Sequence, residues 1–104
     1  MAASFHVISY KKIRDFLANH PEHSRSGRSL HAWYKHVSKA TWENFSQVRA
    51  SYSHADRVGK FVVFNVGGNK FRIVTEINFD SSTMFVRHVL THEEYDRGGW
   101  KNPA

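Results

Sequence analysis

Residues 61–79 read FVVFNV, GGN, KFRIVTEINF, and that stretch constrains the chain more than any other. Phe61 to Val66 is a nearly continuous apolar run of strand length, the pattern of a strand covered on both faces. From Lys70 onward the pattern alternates. Phe71, Ile73, Ile77 and Phe79, with Thr75 among them, share one face, and Lys70, Arg72, Val74, Glu76 and Asn78 share the other. Gly67, Gly68 and Asn69 between the runs accept the positive φ of a tight turn, so the runs close as a β-hairpin. The hairpin sets Lys70 and Arg72 side by side on one strand face. A solvated outer face accounts for that pair on its own; so does an anion held against the sheet.

The other elements arrange themselves around this hairpin. SFHVIS is a short strand with Phe5 and Val7 on one side, and Ser9 is the expected cap of a helix that turns Ile13, Phe16 and Leu17 inward. Asn19–Pro21 ends that helix, and EHSRSGRS reads as a polar loop. Leu30, Trp33, Tyr34 and Val37 then recur at i, i+3, i+4 and i+7, one face of a second helix. Thr41 or Asn44 caps a short third helix with Phe45 and Val48 inward. After a turn at Asp80–Ser82, TMFVRHVL is a last strand, and THEEYDRGGWKNPA begins as a turn or short helix and frays from about residue 98. The order predicts an α+β domain spanning residues 1–104. Its N-terminal helices cover one face of an antiparallel sheet of about four strands, the first strand pairs at one side, and the other sheet face is open.

Composition narrows the function. A content of 40% hydrophobic and 14% aromatic residues excludes a disordered chain. With no cysteine there is no disulfide framework, thiol nucleophile or Cys-ligated zinc. MAASFHVISYKK has no apolar signal core and no run approaches a membrane span, so the expectation is a soluble cytoplasmic protein without membrane contact. Residues 1–60 carry ten basic and four acidic side chains, and the remainder five of each. Such a basic half attracts polyanions, nucleic acid above all.

Motifs for other chemistries are missing. His31 and His36 point roughly a hundred degrees or more apart on their helix, and HEEYD departs from HExxH at Asp96, so neither a metal nor another cofactor is expected. No G-x-S-x-G elbow or Walker loop occurs. What remains is Lys70 and Arg72 on one strand, Arg87 in the next, and His92 and Tyr95 where that strand ends. Cations beside a potential acid and base suit a phosphodiester substrate.

HVISYKKIRDF, LHAWYK, ATWENFSQVRASY, VVFNVGGNKFRIV and THEEYD together resemble the HigB toxins of bacterial toxin–antitoxin systems, within the RelE/ParE-like superfamily. The resemblance runs collinearly from about residue 6 to 97. It implies a compact RelE-like fold, an endoribonuclease that cuts mRNA, commonly on the ribosome, and neutralisation by a HigA-type helix-turn-helix antitoxin. On the family pattern Arg72 is a catalytic arginine, His92 a second basic group, and Tyr95 a residue that stacks or moves protons. Two strand lysines of RelE are replaced by Val63 and Asn65, and Lys70 is the residue able to restore the charge, which leaves the general base open. Asn65, Arg87 and the helical Lys11, Lys12, Arg14, Lys35 and Lys39 are the expected RNA contacts. The alternatives are a ParE-like gyrase poison and a nucleic-acid-binding module without catalysis.

Overall fold

A computed structural model describes residues 4–68 and 70–101. Strand β1 (His6–Ile8) leads into helix α1 (Lys11–Asn19). A 3₁₀ segment (Pro21–Ser26) then runs into α2 (Gly27–Lys39), followed by α3 (Phe45–Ser51). Strands β2 (Asp56–Val58), β3 (Phe61–Val66), β4 (Phe71–Asn78) and β5 (Thr83–Thr91) come next, then α4 (His92–Arg97) and a 3₁₀ turn at Gly99–Lys101. The sheet order is β1-β5-β4-β3-β2, antiparallel throughout except for β1, which runs parallel to β5. The α+β arrangement is the one the sequence predicts, with five strands in place of about four. The additional strand is β2, whose residues Asp56, Arg57 and Val58 give no apolar alternation; it pairs with β3 through a turn in which Gly59 has φ +58°.

The core lies between the helices and one sheet face. Ile13 and Phe16 of α1 and Leu30, Trp33 and Val37 of α2 bury against Phe64, Val66, Phe71, Ile73, Met84 and Val86. This is the helical spacing read from the sequence, realised as one packed layer. Thr75 faces the same core, fully buried, and stays satisfied because its hydroxyl donates to the Val62 carbonyl at 2.8 Å. At the hairpin, Gly67 has φ +67°, and a Cβ there would meet the Phe71 ring at 3.0 Å, so the turn requires glycine. Asn69, the third expected turn residue, lies outside the described residues.

The structure differs from the local reading at two helix starts and decides between the two candidate caps at a third. Tyr10, not Ser9, precedes the first turn of α1, and it makes no side-chain capping bond. The stretch read as a loop after Pro21 is wound as 3₁₀ because Pro21 presets the first turn, and α2 already begins at Gly27. Asn44, one of the two proposed caps, does cap α3 by accepting from the Gln47 N–H at 3.0 Å.

The largest correction concerns the second sheet face. It is not open. Val63 and Val74 form a smaller apolar cluster there with Trp100, flanked by Val58, Phe61, Leu90 and Tyr95. The FVVFNV run is apolar on both sides for this reason: Val62, Phe64 and Val66 face the helices, and Val63 faces the C-terminal segment. Gly98, at φ +75°, ends α4 and turns the chain back so that Trp100 stacks on Tyr95 (5.0 Å, 15°) and donates its indole N–H to the Tyr95 carbonyl at 2.9 Å. Residues 98–101 are therefore packed, while the rest of the expected frayed tail, 102–104, lies outside the described residues. Among the described residues no helix is long and apolar enough to cross a membrane.

Trp100→Ala should cost about 3 kcal/mol, the scale of an aromatic truncation at a buried site. A urea midpoint unchanged from the parent protein would mean that the segment contributes nothing to the fold.

Candidate active site

Arg72 lies near the start of β4, opposite Asn65 on β3 and Leu90 on β5. Directly opposed residues of antiparallel strands share a face, so Asn65 and Arg72 are lateral neighbours. Arg72 is only 7% exposed. Its Nη1 donates to the Phe71 carbonyl at 3.2 Å, its Nη2 lies 2.9 Å from His92 Nδ1, and its Cζ sits 5.5 Å from the centre of the Tyr95 ring.

A guanidinium can only donate, so the contact to Nδ1 requires that nitrogen to accept. The proton of a neutral His92 ring is then on Nε2, 3.1 Å from Asp96 Oδ2. The result is a chain, Arg72 to His92 to Asp96, in which the carboxylate fixes the tautomer and the guanidinium sits at the free lone pair. His92 and Asp96 are one helical turn apart on α4, the spacing that brings side chains together. His92 is also tied through its backbone N–H to the Lys70 carbonyl at 2.9 Å.

Helix α4 owes its position to its cap. The Thr91 hydroxyl accepts from the Glu94 N–H at 3.2 Å while Glu94 Oε1 accepts from the Thr91 N–H at 2.9 Å, a capping box that starts the helix at His92. Glu94 Oε2 lies 3.5 Å from His20 Nε2. His20 in turn donates from Nδ1 to the Phe16 carbonyl at 2.9 Å and stacks on the Phe16 ring, joining the end of α1 to α4. Partial burial pushes the Glu94 carboxyl up, but the Thr91 N–H, His20 and the Thr91 hydroxyl together outweigh it and hold the group below its ordinary value. Tyr95 goes the other way. Burial, reinforced by Asp56 and Asp96 and opposed by Arg72, raises its pKa, so it remains a phenol at neutral pH and can give a proton but not take one. Its ring is already engaged by Trp100 and Arg72, which counts against the expected stacking on an RNA base.

An open cleft of about 600 Å³ adjoins His92, lined among others by His20, His23, Lys70, Glu94 and Arg97. His92 links two groups. Lys70, which lies in the turn before β4 and not on the strand face with Arg72, lines the cleft with it. Arg72 and Tyr95 are outside that lining, and Arg72 meets the His92 ring at 2.9 Å. Arg87 is elsewhere. It is the extra residue of a β-bulge between Val74 and Thr75, ion-paired to Glu76 at 3.1 Å and lying over the Phe85 ring. Lys11, Lys12 and Arg87 line a separate hollow of about 210 Å³. Burial, then Lys12 and Arg87, lower the pKa of nearby His88. Arg14, Lys35 and Lys39 project from exposed positions on α1 and α2.

Asp96, Glu94, Thr91 and His20 were missed as parts of the site. The signal for three of them was present: T-x-x-E in THEE is a capping-box pattern, and His92–Asp96 is an i, i+4 pair. Among the described residues no three His, Asp or Glu side chains converge to hold a metal.

A five-stranded mixed sheet with two N-terminal helices packed on one face is consistent with a RelE-like fold. The chain belongs to the HigB toxin family, described as the RelE-like toxic component of a toxin–antitoxin system, which it matches over residues 26–98. Among curated proteins it is 32% identical over 94 residues to the mRNA interferase toxin HigB of Escherichia coli (strain K12), covering 88% of each chain. It is equally similar to the mRNA interferase HigB of Shigella flexneri.

The depressed Glu94 carboxyl gives a pH signature. A folded value below the ordinary one stabilises fully above a pH of about 4.5, and this contribution disappears as pH falls through the folded value. The stability gap between the parent protein and Glu94→Gln should hold from neutrality to about pH 5 and close on further acidification. Thr91→Ala should cost about 1 kcal/mol. Thermal midpoints whose gap is unchanged at pH 3 would contradict the capping role of the carboxylate.

Proposed function

We propose that residues 1–104 act as one cytoplasmic toxin domain that cuts mRNA without a metal, through attack of a ribose 2′-hydroxyl on the adjoining phosphate. The observation that carries this reading is the 2.9 Å contact between Arg72 Nη2 and His92 Nδ1, with Asp96 on the far side of the ring. A phosphate oxygen that engages Arg72 releases Nδ1 beside the same phosphate. The 2′-oxygen then bonds to phosphorus, its proton passes to His92 Nδ1, and the bond from phosphorus to the 5′-oxygen breaks. Asp96 stabilises the imidazolium through Nε2–H, the work of an orienting carboxylate. Arg72 and Lys70 meet the charge that grows on the non-bridging oxygens, and one such fixed donor is typically worth about 3–4 kcal/mol. The departing 5′-oxygen takes a proton from Tyr95, which burial keeps protonated, or back from His92.

Relatives named mRNA interferases support the substrate. The basic Lys11, Lys12, Arg14, Lys35 and Lys39 and the Arg87 hollow suit ribosomal RNA, which would bring the toxin to translating mRNA. The antitoxin is of the HigA type, a helix-turn-helix protein. A gyrase poison or a passive nucleic-acid binder would have no use for the Arg72–His92–Asp96 chain.

Arg72→Ala should lower kcat for RNA cleavage about 10²–10³-fold, and His92→Gln about 10²–10⁴-fold, with both proteins folded by circular dichroism. Turnover within threefold of the parent in either variant would remove that residue from the chemistry.

A further inference from the structure

We propose that Asn65 and Tyr52 form a nucleobase-binding subsite beside Arg72, in which the side-chain amide reads one base next to the cut. The inference rests on the RNA-cleavage reading and adds a determinant of sequence preference to it.

Asn65 stands directly across from Arg72 in the β3–β4 register and on the same face. Strands lie about 4.8 Å apart, so a nucleotide whose phosphate meets Arg72 has its neighbour within reach of Asn65. The large cleft lies on the β5 side of Arg72, with Lys70 and His92 in its wall. On the β3 side two smaller hollows, of about 200 and 340 Å³, both include Asn65 and Tyr52 in their linings. They exist because β2 covers only the first half of β3: its pairing stops at Val63, and the Tyr52–Ala55 segment flanks the remainder. The hollows lie at the open edge of β3, with Tyr52 and Trp33 on the helix side of the sheet and Asn65 on the Arg72 side, so RNA held at Arg72 would reach them around that edge.

The lining suits a base. Tyr52 is held edge-on against Phe64 (5.2 Å, 88°) and Trp42 (6.0 Å, 80°), and its hydroxyl is 2.8 Å from His36 Nδ1, so the aromatic wall is rigid. The Asn65 amide is half-buried and makes no side-chain hydrogen bond among the described residues. Asn65 is not among the buried unsatisfied groups, so its amide keeps contact with solvent and is open to a ligand's donor and acceptor. The Trp33 indole N–H, in the wall of the larger hollow, is buried with no acceptor among the described residues. An amide offers a donor and an acceptor together, which is how side chains read base edges in unpaired RNA. None of these groups takes part in the cleavage chemistry.

The test uses the full chain and RNA tetranucleotides that carry a 2′-deoxy sugar at the cut and differ in one base, with binding read by fluorescence anisotropy. The wild-type protein should rank the four bases at one position over a range of about five- to a hundredfold. Asn65→Ala, or the closer-fitting Asn65→Leu if the alanine variant folds poorly, should compress that range to within about twofold. Arg72→Ala should weaken all four by a common factor. Equal binding of every base by the wild-type protein, or an Asn65 variant that weakens all four alike, overturns the subsite. A wild-type protein that ranks the bases through Asn65 yet cuts none of the all-ribose versions would leave the subsite standing and overturn the nuclease reading.

Discussion

Burial of the Arg72 guanidinium is the constraint on which the site depends. Taking such a charge out of water costs several kcal/mol unless good geometry compensates. Its partners include the Phe71 carbonyl, the His92 ring nitrogen and the Tyr95 ring. Of these, His92 and Tyr95 belong to the segment that follows β5. The segment is therefore fixed in place by the arginine as much as the arginine is by the segment.

That segment also completes the fold. Trp100 closes the cluster over Val63 and Val74, Tyr95 lies between Trp100 and Arg72, and the Thr91–Glu94 box sets where α4 begins. Hydrophobic burial at one end and capping at the other hold His92 and Asp96 in their hydrogen-bonded arrangement. The residues that complete the fold and the His92–Asp96 part of the proposed site lie in the same short segment. Glu94 extends the link to His20 at the end of α1, so the N-terminal helices help to position α4 as well as to cover the core.

The hairpin and the two amphipathic helices are legible in the sequence because each rests on local spacing. Placing His92 and Tyr95 near Arg72, some twenty residues away in the chain, rests instead on the order of the strands and on the family resemblance. Phe71 and Ile73 alternate with Arg72, and Leu30, Trp33 and Val37 follow the helical period. What could not be read was non-local. Strand β2 has no periodicity of its own and exists because β3 offers an edge. The covering of the second sheet face depends on Gly98 reversing the chain so that Trp100 reaches Val63, a contact that no local pattern encodes. Arg87 was grouped with Arg72 by strand position alone. The bulge in β5 and the carboxylate of Glu76 engage it away from Arg72. Asp96 breaks the HExxH pattern, yet its spacing from His92 is that of a hydrogen-bonded helical pair.

The central claim is that a ribose 2′-hydroxyl, not water, attacks the phosphate held by Arg72. The most direct measurement is mass spectrometry of the fragments from an RNA with one defined cut, beside the same RNA carrying a single 2′-deoxy nucleotide there. The account predicts a 2′,3′-cyclic or 3′-phosphate on one fragment, a free 5′-hydroxyl on the other, and no cleavage of the deoxy substrate. A 5′-phosphate product, or cutting of the deoxy substrate at the same bond, would mean that water is the nucleophile and that His92 and Arg72 do not have the roles assigned to them.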